Sequence, residues 1–360
     1  DEGYVAGGGT ALVDVEKACD SAVLQMISAD EYQAYGTTLI NFAEKISSFS
    51  SPLAVGMSGN FRQMKRRILN IAVFRKETLY QKMRALIIYL VISAVFIGCT
   101  PILSVDASTQ SVYHFSDTDK NISLLDISET FGTYDGSFVL YDNNLDSWKI
   151  YDLEEATKRI PPESTYKIYD ALLGLESGII TPEHSSMTWN GDAFPFPSWE
   201  ADQDLNSAMQ NSVNWYFQAI DSQLGINRVQ EFLNKIEYGN QTTSSNLDLY
   251  WSDFSLKISP LEQVTLLKKF NTNEFHLNSQ NVFSVKNAIK IASTPNGNFY
   301  GKTGTGRVNG QDINGWFIGY VETSDNSYYF ATNIQSDSNA TGKKAFEITS
   351  DILKKLHIWN

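Results

Sequence analysis

In residues 137–151, SFVLYDNNLDSWKIY, two runs of aromatic and β-branched residues flank Asp142-Asn143-Asn144, and the pattern predicts a hairpin closed at that turn. Pro161-Pro162 then interrupts the chain. Beyond it, Ile168, Leu172, Leu173 and Leu175 recur at helical spacing, with Ser164 placed as an N-cap. A second apolar helical face, Val229, Phe232, Leu233 and Ile236, predicts a helix over 227–238. Two strand-like runs, GWFIGYVET at 315–323 and SYYFATNIQ at 327–335, are separated by Asp325-Asn326, and a terminal helix follows near 341–357. Strands at both ends with helices between them predict an α+β domain, one antiparallel sheet flanked by helices. No internal repeat is visible, and the only biased stretch is the Gly-rich GYVAGGGT near the start.

One run breaks this amphipathic pattern. ALIIYLVISAVFIGCTPIL, residues 85–103, carries no charge, and nineteen residues at ~1.5 Å each reach roughly the hydrocarbon thickness of a bilayer. Arg62, Lys65, Arg66, Arg67, Arg75, Lys76, Lys82 and Arg84 precede it, whereas Asp106, Asp117 and Asp119 follow. The pattern predicts a transmembrane helix at 85–104, with a mostly helical segment 1–84 in the cytosol and 105–360 as an extracellular domain. A competing reading starts at Met83-Arg84 and ends at Phe96-Ile97-Gly98-Cys99, which imitates a lipoprotein signal with a lipidated cysteine. The 82 residues upstream count against it, and both readings put the C-terminal domain outside. The chain opens on Asp1 with no secretory signal, so a fragment of something longer is expected.

Charge changes the picture by exclusion. Residues 1–84 hold ten Lys/Arg against nine Asp/Glu, while 105–360 hold 18 against 32. So acidic a surface argues against nucleic acid as a partner. Only Cys19 and Cys99 are present, so no disulfide framework is available.

Candidate chemistry begins just after the proline pair, in the stretch PESTYKIY at 162–169. Ser164 and Lys167, three apart on a helix, share a face on its first turn, where the helix N-terminus favours a developing oxyanion and a neutral lysine. Ser212-Val213-Asn214, Tyr238-Gly239-Asn240 and Lys302-Thr303-Gly304-Thr305-Gly306 follow in that order. Each is weak alone; Asn240 equally suits a turn and Trp251 equally suits the core. The ordered set Ser-x-x-Lys, Ser-x-Asn, Lys-Thr-Gly is the signature of serine penicillin-recognising proteins.

Residues 238–263, YGNQTTSSNLDLYWSDFSLKISPLEQ, and the lead-in at 138–174 resemble class D serine β-lactamases. Glu16-Lys17-Ala18-Cys19-Asp20 is similar to the metallopeptidase segment of β-lactam sensor-transducers of the BlaR/MecR type, and the order of segments matches that family. The resemblance implies a transmembrane antibiotic sensor whose Ser164 attacks the β-lactam carbonyl with Lys167 as base. It implies that Ser212 relays a proton to the leaving nitrogen, that Lys302, Thr303 and Gly304 line the ligand strand, and that Thr305 binds the ligand carboxylate. Backbone N–H groups of Ser164 and Thr305 would form the oxyanion hole. No separate cofactor is implied, but class D relatives carry a CO2-derived carboxylated lysine, here Lys167, held partly by a tryptophan matching Trp251. The implied partners are β-lactams, the membrane and a cytosolic repressor.

Two departures stand out. Asn214 occupies a position usually apolar in class D enzymes, as in the family's sensors. Beside Lys167 it would compete for the lysine nitrogen, disfavour carboxylation and leave the acyl group in place. The family's zinc site needs His-Glu-x-x-His, but the histidines are His114, His184, His276 and His357, so Glu16 stands alone and zinc is expected only in an upstream part. Family members are cut in the cytosolic stretch, and Arg66-Arg67 is a candidate place. Rival functions are a membrane-tethered class D β-lactamase and a D,D-peptidase, the latter ranked last on the 238–263 match.

Overall fold

The computed structural model describes residues 18–47, 61–76, 80, 83–84, 86–89, 111–116, 118, 120–244 and 246–360. The chain divides into two compact units, Asp1–Thr100 and Pro101–Asn360. The first contains helices over 18–26, Tyr32–Ser47 and Phe61–Ala72. Arg67 grips Asp20 with two hydrogen bonds of 2.8 Å, and the Tyr35 hydroxyl donates to the same carboxylate at 2.8 Å. Arg66-Arg67 therefore sits inside a helix that is tied to its neighbour, and that helix must unwind before a protease could cut there. The expected membrane span at 85–104 lies outside the described residues except for helical 86–89. Among the described residues no helix is long and apolar enough to cross a membrane. Glu16 also lies outside them.

The second unit is built on strands β1 (Asn121–Leu124), β2 (Asp135–Asp142), β3 (Ser147–Tyr151), β4 (Lys290–Thr294), β5 (Gly297–Val308), β6 (Gln311–Glu322) and β7 (Ser327–Gln335). They form one sheet in the order β1-β3-β2-β7-β6-β5-β4. The hairpin and both late strands fall where the sequence pattern puts them. The sheet is mixed, however: β1 runs parallel to β3, while every other pairing is antiparallel. The expectation of a purely antiparallel sheet is corrected there. The four residues of β1, NISL, do alternate polar and apolar, but so short a run, with Leu124 left exposed, does not announce an edge strand or its direction.

Between the outer strands lie helices α1 (Lys167–Glu176), α2 (Leu205–Gln210), α3 (Asn214–Leu224), α4 (Ile226–Ile236), α5 (Pro260–Asn271) and α6 (Ser279–Ala288), and α7 (Gly342–Lys355) follows β7. The central strands are buried at almost every position because both faces of the sheet are covered. Phe138, Leu140, Phe317, Val321, Phe330 and Ile334 point to one face, with Ile348, Ile352 and Leu353 of α7. Val139, Tyr141, Trp316, Ile318, Tyr320, Tyr329 and Ala331 point to the other, with α1 and α5. α1 is buried along nearly its whole length, so it is a central helix rather than an amphipathic cover. α5 begins with Ser259 as N-cap, Pro260 in its first turn and Glu262 completing the capping box. Glu262 also takes a buried forked pair from Arg159, which pins the start of α5 to the chain before the Pro161-Pro162 break.

Candidate active site

Ser164 does not cap α1. It sits half-buried in a single 3-10 turn, Glu163–Thr165, and α1 begins at Lys167 with no side-chain cap. Pro162 places the turn, and Thr165 closes it by donating its hydroxyl to the Pro162 carbonyl at 2.6 Å. Glu163, just before the serine, has φ of +52°. A non-glycine residue in that region is strained, and it persists only where its surroundings hold it. The Glu163 N–H donates to the Trp251 carbonyl at 3.1 Å, and its carboxylate accepts from the Asn314 amide at 3.3 Å.

Lys167 is buried, at 1% exposure. Its Nζ lies 2.8 Å from Ser164 Oγ and 2.8 Å from Asn214 Oδ1. It also lies over the rings of Trp251, at 4.3 Å, and Phe217, at 5.6 Å. Burial pushes its pKa well below the usual lysine range, and Lys302 pushes the same way, while Asp170, Glu163 and Asp221 oppose. A lysine so placed sheds its proton readily, and the contact with Ser164 can then run in reverse, Oγ–H to Nζ.

A second pair stands beside the first. Ser212, with φ of +53°, joins α2 to α3, and its hydroxyl accepts from the Lys302 ammonium of β5. Lys302 also donates to its neighbour's carbonyl, Thr303 O, at 3.0 Å. Burial lowers the Lys302 pKa to about 7. Gly304 brings β5 against the Ser164 turn: a Cβ there would lie 3.1 Å from the Pro162 carbonyl and 3.3 Å from Ser164 N. Thr305 is exposed, and its hydroxyl accepts from Gly342 N–H at 2.8 Å at the start of α7. Thr303 packs against that same glycine, where a Cβ would come within 2.8 Å of its own.

The structure therefore brings together Ser164, Lys167, Asn214 and Trp251 in one contact group, and Ser212, Lys302, Thr303 and Gly304 in the next. Asn240 is a loop clamp, as its turn reading implied: its amide group bonds Ser255 O at 2.8 Å and Lys257 N at 2.9 Å. Beside it Gly239, with φ of +53°, would put a Cβ 1.9 Å from Lys257 O, so no larger residue fits.

Trp251 Nε1 is buried with no hydrogen-bond partner among the described residues. A carboxylated Lys167 would need a donor of that kind, so this part of the site fits the group. Asn214 Oδ1 does not, because it already occupies the lysine nitrogen as an acceptor.

Sequence patterns missed Glu163. Burial raises its pKa to about 8 against the opposing Asn314 bond and Lys167 charge. A single acid between a proline and a serine carries no periodic signal; only its packing against Gly304 and Gly306 reveals it. Asn314 was missed as well. Its amide holds Pro161 O at 3.1 Å and its carbonyl oxygen accepts from Asn333 at 2.8 Å, tying the Ser164 turn to β6 and β7.

Two family models match the chain: the penicillin binding protein transpeptidase domain over residues 132–354, and the BlaR1 peptidase M56 over 10–71. Regulatory protein BlaR1 of Bacillus licheniformis is 41% identical over 353 residues, covering 97% of this chain and 58% of that protein. The chain thus spans a little over half the length of this curated relative. Among solved structures, the C-terminal domain of the Bacillus licheniformis BlaR penicillin-receptor superimposes with a TM-score of 0.65 at 45% identity, covering 67% of this chain and 99% of that one. The class D β-lactamase BAT-2 superimposes with a TM-score of 0.62 at 36% identity, covering 66% and 97%.

Proposed function

The chain belongs to the BlaR/MecR type of regulatory protein, with a penicillin-binding transpeptidase domain in its second unit, and from that premise we propose that it senses β-lactam antibiotics. Ser164 Oγ attacks the β-lactam carbonyl while Lys167 Nζ takes the hydroxyl proton across their 2.8 Å contact. The backbone N–H groups of Ser164 and Thr305 stabilise the oxyanion, and the close approach of Gly304 to Ser164 N sets their spacing. Ser212 passes a proton to the ring nitrogen as the C–N bond breaks, with Lys302 holding its hydroxyl. Thr305, oriented by Gly342 N–H, and Thr303 flank the ligand carboxylate. Residues 85–104 cross the membrane, the second unit faces outward, and a cytosolic repressor is the downstream target.

The observation that carries the sensor reading is the 2.8 Å contact between Lys167 Nζ and Asn214 Oδ1. A lysine nitrogen held this way is a poor site for CO2 capture, so the carboxylated base that would activate a deacylating water does not form. Acylation then proceeds and deacylation stalls. A second reading, a class D β-lactamase, is favoured by one feature: Trp251 Nε1 is a buried donor without a partner among the described residues, suited to a carboxylated Lys167. That group, when present, supplies a base for deacylation.

Intact mass of the chain after mixing with a penicillin, followed for hours, separates the two. The sensor reading expects a persistent adduct of one ligand mass that Ser164→Ala abolishes. Return to the free mass with hydrolysed penicillin accumulating would establish the β-lactamase instead. No adduct and no hydrolysis would overturn both.

A further inference from the structure

Glu163 has no part in the chemistry proposed above, yet it stands immediately before Ser164 and is buried, at 6% exposure. Its φ of +52° puts a kink into the chain at that point. Several contacts fix the kink. The Glu163 N–H donates to Trp251 O at 3.1 Å, and the Pro162 carbonyl accepts from the Thr165 hydroxyl at 2.6 Å. The Pro161 carbonyl accepts from Trp316 Nε1 at 2.8 Å and from the Asn314 amide at 3.1 Å. So many holds on one short turn keep a strained residue where it is.

The Glu163 side chain occupies a gap in β5. Gly304 and Gly306 are two apart on that strand and therefore open onto the same face. A Cβ on Gly304 would lie 3.1 Å from Glu163 Cβ. A Cβ on Gly306 would lie 2.4 Å from Glu163 Oε1 and 2.9 Å from Glu163 Cδ. Neither glycine has a positive φ, so the backbone does not require them; the space does. Asn314 is the β6 partner of Gly306 in the strand register, and its amide donates to Glu163 Oε1 at 3.3 Å. The acid thus takes the volume that two β5 side chains would otherwise fill, and it is bonded to the next strand. Burial pushes its pKa up to about 8, so near neutral pH it is mostly an uncharged group held by shape and one hydrogen bond.

We propose that Glu163 is a positioning residue for acylation: lodged between the Ser164 turn and the Gly304–Gly306 stretch of β5, it sets the gap across which the N–H groups of Ser164 and Thr305 receive the oxyanion. The proposal deepens the acylation reading and rests on it. Ser164 directly follows Glu163, and Thr305 lies between the two glycines, so one packing contact places both donors. Glu163 itself neither gives nor takes a proton in the reaction. Donors of this kind act on the charge that develops in the transition state. Loosening the gap therefore lowers the rate constant for bond formation and leaves noncovalent binding unchanged.

Stopped-flow acylation of the full chain over a range of fluorescent penicillin concentrations, near neutral pH, separates the two quantities. Glu163→Ala should lower the acylation rate constant by about 10-fold or more, against the roughly 100-fold that a misplacement of about 1 Å can cost, with the noncovalent dissociation constant unchanged. Glu163→Gln keeps the length and an oxygen for Asn314, and should restore the rate. Gly306→Ala should slow acylation in the otherwise wild-type chain, because its Cβ displaces the carboxyl; in the Glu163→Ala background that cost should shrink. A folded Glu163→Ala variant that acylates like wild type would overturn the proposal. So would a loss confined to the dissociation constant, a Glu163→Gln variant as slow as Glu163→Ala, or costs at 163 and 306 that simply multiply. If Glu163→Ala does not fold, Glu163→Asp, one methylene shorter, carries the same expectation and the same refutation. Failure of the acylation reading looks different, because the wild-type chain itself would then not label.

Discussion

The two faces of the central sheet are filled by different rules. Behind it, α7 buries Ile348, Ile352 and Leu353 against Phe317, Val321, Phe330 and Ile334, and a neutral polar contact placed there joins Thr332 to Thr349 at 2.6 Å, with the Thr349 hydroxyl also bonded to Ala345 O at 2.7 Å. In front, α1 carries Lys167 and Asp170 into the interior, with Asp221, Glu163 and Lys302 around them. The back face is organised for stability, because apolar area leaves water and nothing charged goes with it. The front face tolerates desolvated charge, and desolvated charge is what shifts a lysine into the range of a general base. One sheet thus separates the part of the domain that holds the fold from the part that carries the candidate active site.

The sharpest way to break this comparison is to remove Lys167, the proposed front-face base. Lys167→Met should slow acylation by about 100-fold or more, the usual contribution of a general base, and stopped-flow quenching by a penicillin would measure it. A comparable slowing from a back-face substitution would dissolve the distinction. Next in size, Phe330→Ala should destabilise the domain by about 3–5 kcal/mol, read by denaturant unfolding, with the acylation rate of the folded fraction unchanged. Asn214→Val should shorten the lifetime of the adduct, because Lys167 Nζ loses the acceptor that holds it at 2.8 Å; an adduct as persistent as wild type would show that Asn214 does not restrain deacylation.

The smallest effect concerns Glu163. Its folded pKa, about 8, lies above its unfolded value, so between the two the native state binds the extra proton and stability falls as pH rises. Glu163→Gln should flatten the thermal midpoint between pH of about 5 and about 8 relative to wild type. Lys302 has the opposite slope: its folded pKa is depressed to about 7, so the unfolded chain binds the extra proton above that and stability rises with pH.

Local pattern determined a good part of this protein without any coordinates. Alternating apolar residues announced β2, β3, β6 and β7, because a strand's two-residue period is written in neighbours. The helices at Ile226–Ile236 and Gly342–Lys355 followed from their 3.6-residue period for the same reason. Ser164 and Lys167 could be paired from spacing alone, since three residues on one turn of chain bring their side chains together. Tertiary structure alone decided the rest. Asn214 reaches Lys167 across 47 positions, Lys302 reaches Ser212 across 90, and Asn314 reaches Glu163 across 151. The parallel seat of β1 and the burial of Asp170 and Asp221 belong to the same class. No periodicity records such meetings, because they arise when separately formed elements pack and the chain between them closes, and packing is a property of the whole domain rather than of any window of sequence.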